Sequence, residues 1–166
     1  MSPGVDAATL QALVDRQAIV DTVVRYAWAL DRKDWDLARA CFADEVEADY
    51  GDLRGRPPER ITAEEFVRLR REALASLATH HLSANHLVSI EGDRATCVSA
   101  FLIHRLAPAP DEAPSEVPRT FDSLGHYVHG LVRGPGGWRI ARVTQTVAWN
   151  RGDPALHPGA RGGHER

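Results

Sequence analysis

The half of the chain from His81 to Trp149 reads with the period of two that belongs to β-structure, and turn signals cut it at three places. Gly92-Asp93 and Gly134-Pro135-Gly136-Gly137 are short turns. Between them Pro108, Pro110, Pro114 and Pro118 forbid pairing inside a sheet, so residues 107–119 are expected to form a long hairpin loop able to act as a lid. The spacing predicts strands over about 81–91, 94–105, 119–133 and 138–149, joined as a four-strand antiparallel meander.

The first half has the period of helices instead. Residues 7–31 predict one long helix, with Val20, Val24, Ala27 and Asp31 on a stripe that Leu10, Leu13, Ile19, Val23 and Leu30 widen. Asp34 is a candidate N-cap for a short helix through Phe42, with Leu37, Ala38 and Cys41 on its inner face. A strand with Val46, Ala48 and Tyr50 on one side follows, then a loop over 51–60. Thr62 and Glu65 form a capping box for a helix over 63–78. Helices first and strands afterwards predict an α+β fold, a strongly curved antiparallel sheet wrapped over helices around an apolar pocket. Residues 1–150 are expected to form a single domain, with 151–166 a free tail.

Composition narrows the partners. The chain has 166 residues, 43% hydrophobic and 26% charged, enough apolar material for one buried core. A formal net charge of −3 offers no basic field for nucleic acid. No apolar run is long enough to span a bilayer, and Met1 to Thr9 carry no export signal, so a cytoplasmic location with reduced Cys41 and Cys97 is expected.

Asp31 carries the most information about chemistry. It continues the apolar stripe of the first helix, where a carboxylate is costly unless paired. The plain alternative is that the helix has already ended and Asp31 lies exposed in a turn. Six of the eight histidines, His80, His81, His86, His104, His126 and His129, fall in the β-half. Alternation groups His81 with Ser83 and Asn85, and His80 with Leu82, Ala84, His86, Val88 and Ile90. On the second strand Val98, Ala100, Leu102 and His104 share a face. On the third, Phe121, Gly125, Tyr127 and His129 do. No His-x-His pair and no helical His-x-x-x-His pair is present, so no metal is expected. No nucleotide fingerprint or nucleophile elbow is present either, so no cofactor is expected.

The segments Tyr26-Ala27-Trp28-Ala29-Leu30-Asp31-Arg32-Lys33-Asp34-Trp35, Cys41-Phe42-Ala43-Asp44 and Ala48-Asp49-Tyr50-Gly51 resemble the opening of SnoaL-like proteins of the NTF2-like superfamily. That group includes scytalone dehydratase, hexachlorocyclohexane dehydrochlorinase and bile-acid 7α-dehydratase. Thr79-His80-His81-Leu82-Ser83-Ala84-Asn85 resembles the family's His-x-x-x-Asn strand, and Gly137-Trp138-Arg139-Ile140 its last hairpin. The resemblance covers roughly residues 8–150. It implies an Asp–His base at Asp31 and His81, with polar partners at Tyr26, at Tyr50 and near His104. It departs from scytalone dehydratase on the third strand, where Gly125 and Tyr127 stand in place of an asparagine and a serine. An ideal helix sets Tyr26 about 140° from Asp31, so a shared pocket is expected to require a distorted helix end. His80 is the rival base.

The expected activity is cofactor-free removal of a carbon-bound proton from a small apolar, ring-bearing metabolite, followed by loss of a leaving group. Trp28, Asn85, Phe121 and Tyr127 are the candidate substrate contacts. Isomerisation or ring closure in polyketide- or steroid-like metabolism shares the first step. A non-catalytic small-molecule-binding module is the third reading, and it would need no aligned carboxylate and imidazole. The convex face of the sheet is expected to be apolar, with Cys97, Phe101 and Ile103, and to be covered in a homo-oligomer.

Overall fold

In the computed structural model, residues 6–108 and 119–157 are described. Helix α1 runs Ala7–Arg32; Asp6 caps it by accepting from the Thr9 N–H at 2.8 Å, and Lys33 closes it in the left-handed region. Helix α2, Trp35–Ala40, is capped by Asp34, which accepts from the Leu37 N–H at 3.0 Å. It stops two residues before the expected end, because Phe42 already opens strand β1, Phe42–Asp49. The predicted loop over 51–60 holds structure of its own: a single helical turn α3, Gly51–Arg54, and an edge strand β2, Glu59–Thr62. Thr62 then accepts from the Glu65 N–H and starts helix α4, Ala63–Leu74. That helix is shorter than expected because the chain is already extended at Ala78.

Four long strands follow: β3 Ala78–Glu91, β4 Arg94–Leu106, β5 Thr120–Gly134 and β6 Gly137–Gly152. They form the expected antiparallel meander, and β1 joins β6 in parallel to give one sheet of order β2-β1-β6-β5-β4-β3. The architecture is the α+β one that the sequence predicts. Residues 151–157, assigned above to a free tail, are built into it. Gly152 pairs with Phe121, Asp153 binds Arg119, and a 3-10 turn at Pro154–Leu156 buries Leu156. The expected lid, 107–119, falls almost wholly outside the described residues, as does 158–166.

The helices lie in the concave face of the sheet. The buried stripe of α1 is Asp15, Ile19, Thr22, Val23, Tyr26, Ala29 and Leu30. Val20, Val24, Ala27 and Asp31 lie at its half-buried edge, and Leu10 and Leu13 are exposed. The core between α1, β1 and α4 is aromatic: Tyr26 meets Phe42 edge-on at 4.8 Å, and Phe42 packs on Phe66 at 4.9 Å.

Two features decide which side chains reach the interior. On β4 the inward residues are Cys97, Ser99, Phe101, Ile103 and Arg105, so the expected convex set is in fact the core, and Val98, Leu102 and His104 face outward. The convex face is apolar through other residues. Leu82, Leu102, Leu124 and Trp149 are register neighbours on four successive strands, and all four are exposed. On β3 one extra residue stands between Ala84 and Leu87, and Asn85 takes φ 55° there. The bulge reverses the alternation. His81 and Ser83 lean inward before it; His86, Val88 and Ile90 do so after it.

Candidate active site

Asp31 lies inside the last turn of α1, not beyond it. A carboxylate there opposes the negative end of the helix dipole, so it needs donors. Strand β3 supplies three: the His81 N–H at 2.8 Å, the Thr79 hydroxyl at 3.0 Å, and His81 Nδ1 at 2.5 Å. Lys33 Nζ donates in turn to the Thr79 hydroxyl at 3.1 Å. With Nδ1 committed to Asp31, Nε2 is the imidazole nitrogen left to exchange a proton.

The electrostatics suit that arrangement. Burial pushes the Asp31 carboxyl up, but the hydrogen bonds from His81 and Thr79 outweigh it and leave it below the usual carboxylate range. Burial pulls His81 down more than Asp31 raises it, so its pKa lies below the ordinary 6.5. The pair at neutral pH is therefore a carboxylate beside an uncharged imidazole.

His81 borders three spaces. One is a narrow apolar cavity of about 20 Å³ against Val23, Leu30, Phe101, Ile103 and Tyr127. Another, of about 40 Å³, lies toward Tyr50, Arg70, Arg105 and Gln145. The third is an open cleft of about 320 Å³ formed by Trp28, Asp31, His80 and Leu82. The two inner cavities have room for a few water-sized atoms, so a ring-bearing molecule enters only as lining side chains swing aside.

Of the sequence candidates, Tyr26, Tyr50, His81 and Tyr127 edge the inner cavities. Helix α1 needs no distortion to serve one site with Tyr26 and Asp31: Tyr26 points into the core, Asp31 sits at the stripe's edge, and His81, bonded to Asp31, lines the same inner cavities as Tyr26. Burial pushes the Tyr26 and Tyr127 phenols up, so both stay protonated at neutral pH. The Tyr127 hydroxyl also accepts from Gln145 Nε2 at 2.7 Å. His80 faces solvent, its side chain 74% exposed against 10% for His81, with Nδ1 3.8 Å from Asp31.

Three candidates, His104, Asn85 and Phe121, need correction, and a fourth, Trp28, stands at the outer cleft. His104 is on the convex face, hydrogen-bonded to Asp122, because β4 turns its odd-numbered residues inward. Asn85 is exposed at the bulge that reverses the strand. Trp28 is 59% exposed and edges the outer cleft rather than the interior. Phe121 is buried beneath the Arg105 guanidinium, 5.5 Å from its ring, as part of the core. At Gly125, where the resemblance implies a polar side chain, a Cβ would stand 2.0 Å from the Thr146 carbonyl oxygen. Nothing larger than glycine fits there.

The sequence reading missed Arg70, Arg105, Gln145 and His157. Arg105 alternates with Phe101 and Ile103, and Arg70 is four residues from both Phe66 and Leu74, so both periods placed a cation among apolar neighbours. Nothing local marks His157, which the ordered tail brings against the inner cavity. Among the described residues no three His, Cys, Asp or Glu side chains come close enough to hold one metal ion, and no helix is long and apolar enough to cross a membrane.

The same fold recurs in known proteins. A scytalone dehydratase of Colletotrichum orbiculare is 27% identical over 137 residues, covering 77% of this chain and 71% of that one. The crystal structure of the Kfla4162 protein from Kribbella flavida superposes with a TM-score of 0.80 at 29% identity, over 87% of this chain and 97% of that one. A type 2 hexachlorocyclohexane dehydrochlorinase shares the fold, with a TM-score of 0.70 at 16% identity, over 92% of this chain and 98% of that one. The NTF2-like cone is thus the architecture of dehydratase- and lyase-type relatives. Residues 11–144 match the SnoaL-like domain, and the chain belongs to that family.

Proposed function

We propose that the protein is a cofactor-independent acid–base enzyme of the dehydratase or lyase type, acting on a small, largely apolar, ring-bearing metabolite. The observation that carries this reading is the 2.5 Å contact between His81 Nδ1 and Asp31, made by an uncharged imidazole that borders both inner cavities and the outer cleft.

In this reading His81 Nε2 takes a proton from carbon, and the carbon's electron pair forms a double bond as the leaving group departs from the neighbouring carbon. Asp31 holds the imidazole in the reactive tautomer and stabilises the imidazolium that forms. Tyr26 or Tyr50 donates to an oxygen of the substrate or leaving group. A relative named as a dehydratase supports water as that leaving group. Such a pair contributes on the order of 10²–10⁴-fold to the rate.

The test is incubation with hydroxylated polycyclic ketones, both neutral and carboxylate-bearing, in deuterium oxide, without added metal or nucleotide, following loss of water and exchange of the proton next to the carbonyl. The expected result is turnover or exchange in the wild type and a drop of at least about a hundredfold in Asp31→Asn and in His81→Ala, with folding retained. Full activity in both variants would remove the acid–base pair from the mechanism.

We also propose that a second copy of the chain covers the convex face. The row Leu82, Leu102, Leu124 and Trp149 is continuous across four strands. Sedimentation of Leu102→Glu as a monomer, where the wild type sediments as an oligomer, is the expected outcome.

A further inference from the structure

The interior holds two guanidinium groups without a counter-charge. Arg105 on β4 is 3% exposed and Arg70 on α4 is 8% exposed. Among the described residues, no carboxylate lies within ion-pairing distance of either. Arg70 lies over the rings of Tyr50 and Phe66, at 4.5 and 4.4 Å. Arg105 donates from Nη1 to the Ser123 hydroxyl at 3.1 Å, and its Nε has no partner. Gln145 Oε1, on the same cavity wall, has none either.

The neighbours offset this charge only in part: Tyr50, hydrogen-bonded to Arg70, and Tyr26 raise Arg70 against the pull of burial, but a phenol supplies no full counter-charge. The Tyr26 and Tyr127 phenols stay protonated at neutral pH, so neither acts as a tyrosinate counter-ion. Burial pulls Arg105 down to about 10, against the weaker attraction of Tyr127 and of Asp122, which makes no ion pair with it. A buried cation left unpaired opposes folding, and the opposition disappears once an anion fills the space beside it. The cavity between the two arginines, about 40 Å³, is large enough for a planar group of three heavy atoms.

We propose that this cavity is a carboxylate subsite, in which Arg105 and Arg70 hold an anionic end of the substrate while its apolar part lies in the neighbouring cavity, against Val23 and Phe101. The assignment of the two ends rests on His81 as the base, since His81 is the imidazole among the five side chains that line both cavities, with Tyr26, Leu30, Ile103 and Tyr127. The substrate class becomes an apolar carboxylic acid rather than a neutral ketone. The reacting carbon lies between the ring system and the carboxylate. Negative charge that develops there when the proton leaves falls within reach of two fixed cations in a dry interior. A neutral analogue of the same shape leaves both guanidinia unpaired and is rejected for that reason.

Binding of 2-naphthoate and of its neutral isostere 2-naphthamide, measured by calorimetry on the purified wild type, tests the subsite. The guanidinium ¹⁵Nε resonance of Arg105 is followed in the same titrations. The expected result is at least about tenfold tighter binding of the carboxylate, with the Arg105 resonance moving only for naphthoate. Arg105→Gln and Arg105→Met should reduce the preference to below about twofold, and His81→Gln should keep it. Equal affinity for the two compounds, no naphthoate binding at millimolar concentration, or an unmoved Arg105 resonance would each overturn the subsite. The wild-type titration decides even where an arginine variant does not fold. Because proton exchange is not read here, loss of the subsite leaves His81 standing as base, and loss of His81 as base leaves the binding preference standing.

Discussion

Helix α1 carries two carboxylates on its sheet-facing side, Asp15 and Asp31, and they are satisfied in opposite ways. Asp15 is clamped by two parallel bonds from Arg133, at 2.7 and 2.8 Å, and by the Trp138 indole N–H at 3.1 Å. Those partners are permanent donors. They hold the Asp15 carboxyl far below the usual range, so it stays charged throughout the physiological span and fastens the helix to the last hairpin. Asp31 has a hydroxyl, a backbone N–H and an imidazole, and the imidazole is the one partner that changes charge near neutral pH. The lesson is that a sheltered carboxylate is read by the chemistry of its donors. A guanidinium partner makes a fastener; an imidazole partner makes a group that can work.

The largest expected effect separates the two aspartates. Asp31→Asn should lower turnover by at least about a hundredfold with little change in melting midpoint, whereas Asp15→Asn should lower the midpoint by at least about 5 °C with turnover per folded molecule within about twofold. Thermal melts alongside rates on the folded fraction would check both, and a large rate loss in Asp15→Asn would erase the contrast.

The pH profile sharpens it. His81 acts uncharged and its pKa lies below 6.5, so kcat/KM should fall as pH drops through a midpoint below that value. The bond and charge of Asp31 are what hold His81 up against burial. In Asp31→Asn the midpoint should therefore move lower still while the plateau drops. A midpoint that rises in this variant would contradict the assignment.

A related effect on stability is smaller. Burial pulls His129 down to about 3, so between pH 6.5 and that value the unfolded chain takes up a proton that the folded chain refuses. Stability is then lost as pH falls below 6.5, by roughly 1.4 kcal/mol per pH unit at most from this residue. His129→Leu should flatten that part of the slope in denaturant titrations at pH 5 and pH 7. The smallest effects belong to the surface histidines: His80→Ala and His104→Ala should each change turnover by less than about twofold.

The four long strands, both major helices and the inward lean of Asp31 were legible because each rests on a period repeated over many residues, whereas the short edge strand β2 was not. The rest depends on information that a period does not contain. Alternation sorts β4 into two faces but does not say which is inside, so His104 was placed on the wrong side and Arg105 was overlooked. A lone inserted residue near Asn85 has no signature apart from that asparagine's tolerance of positive φ. Arg70 stood on the apolar stripe of α4 and could have been read as Asp31 was. The burial of His157 depends on an ordered tail whose composition suggests the reverse.

The bulge at Ala84–Leu87 makes β3 two rulers read in opposite phase. Positions 79, 81 and 83 answer to one count and positions 86, 88 and 90 to the other. Substitutions in the second segment can therefore repack the core around Val88 and Ile90 without retiming the first, where the imidazole is set. Deleting one residue at the join would merge the counts and turn His86, Val88 and Ile90 out to water. A strand built in this way lets one half accommodate change while the half that meets Asp31 keeps its place.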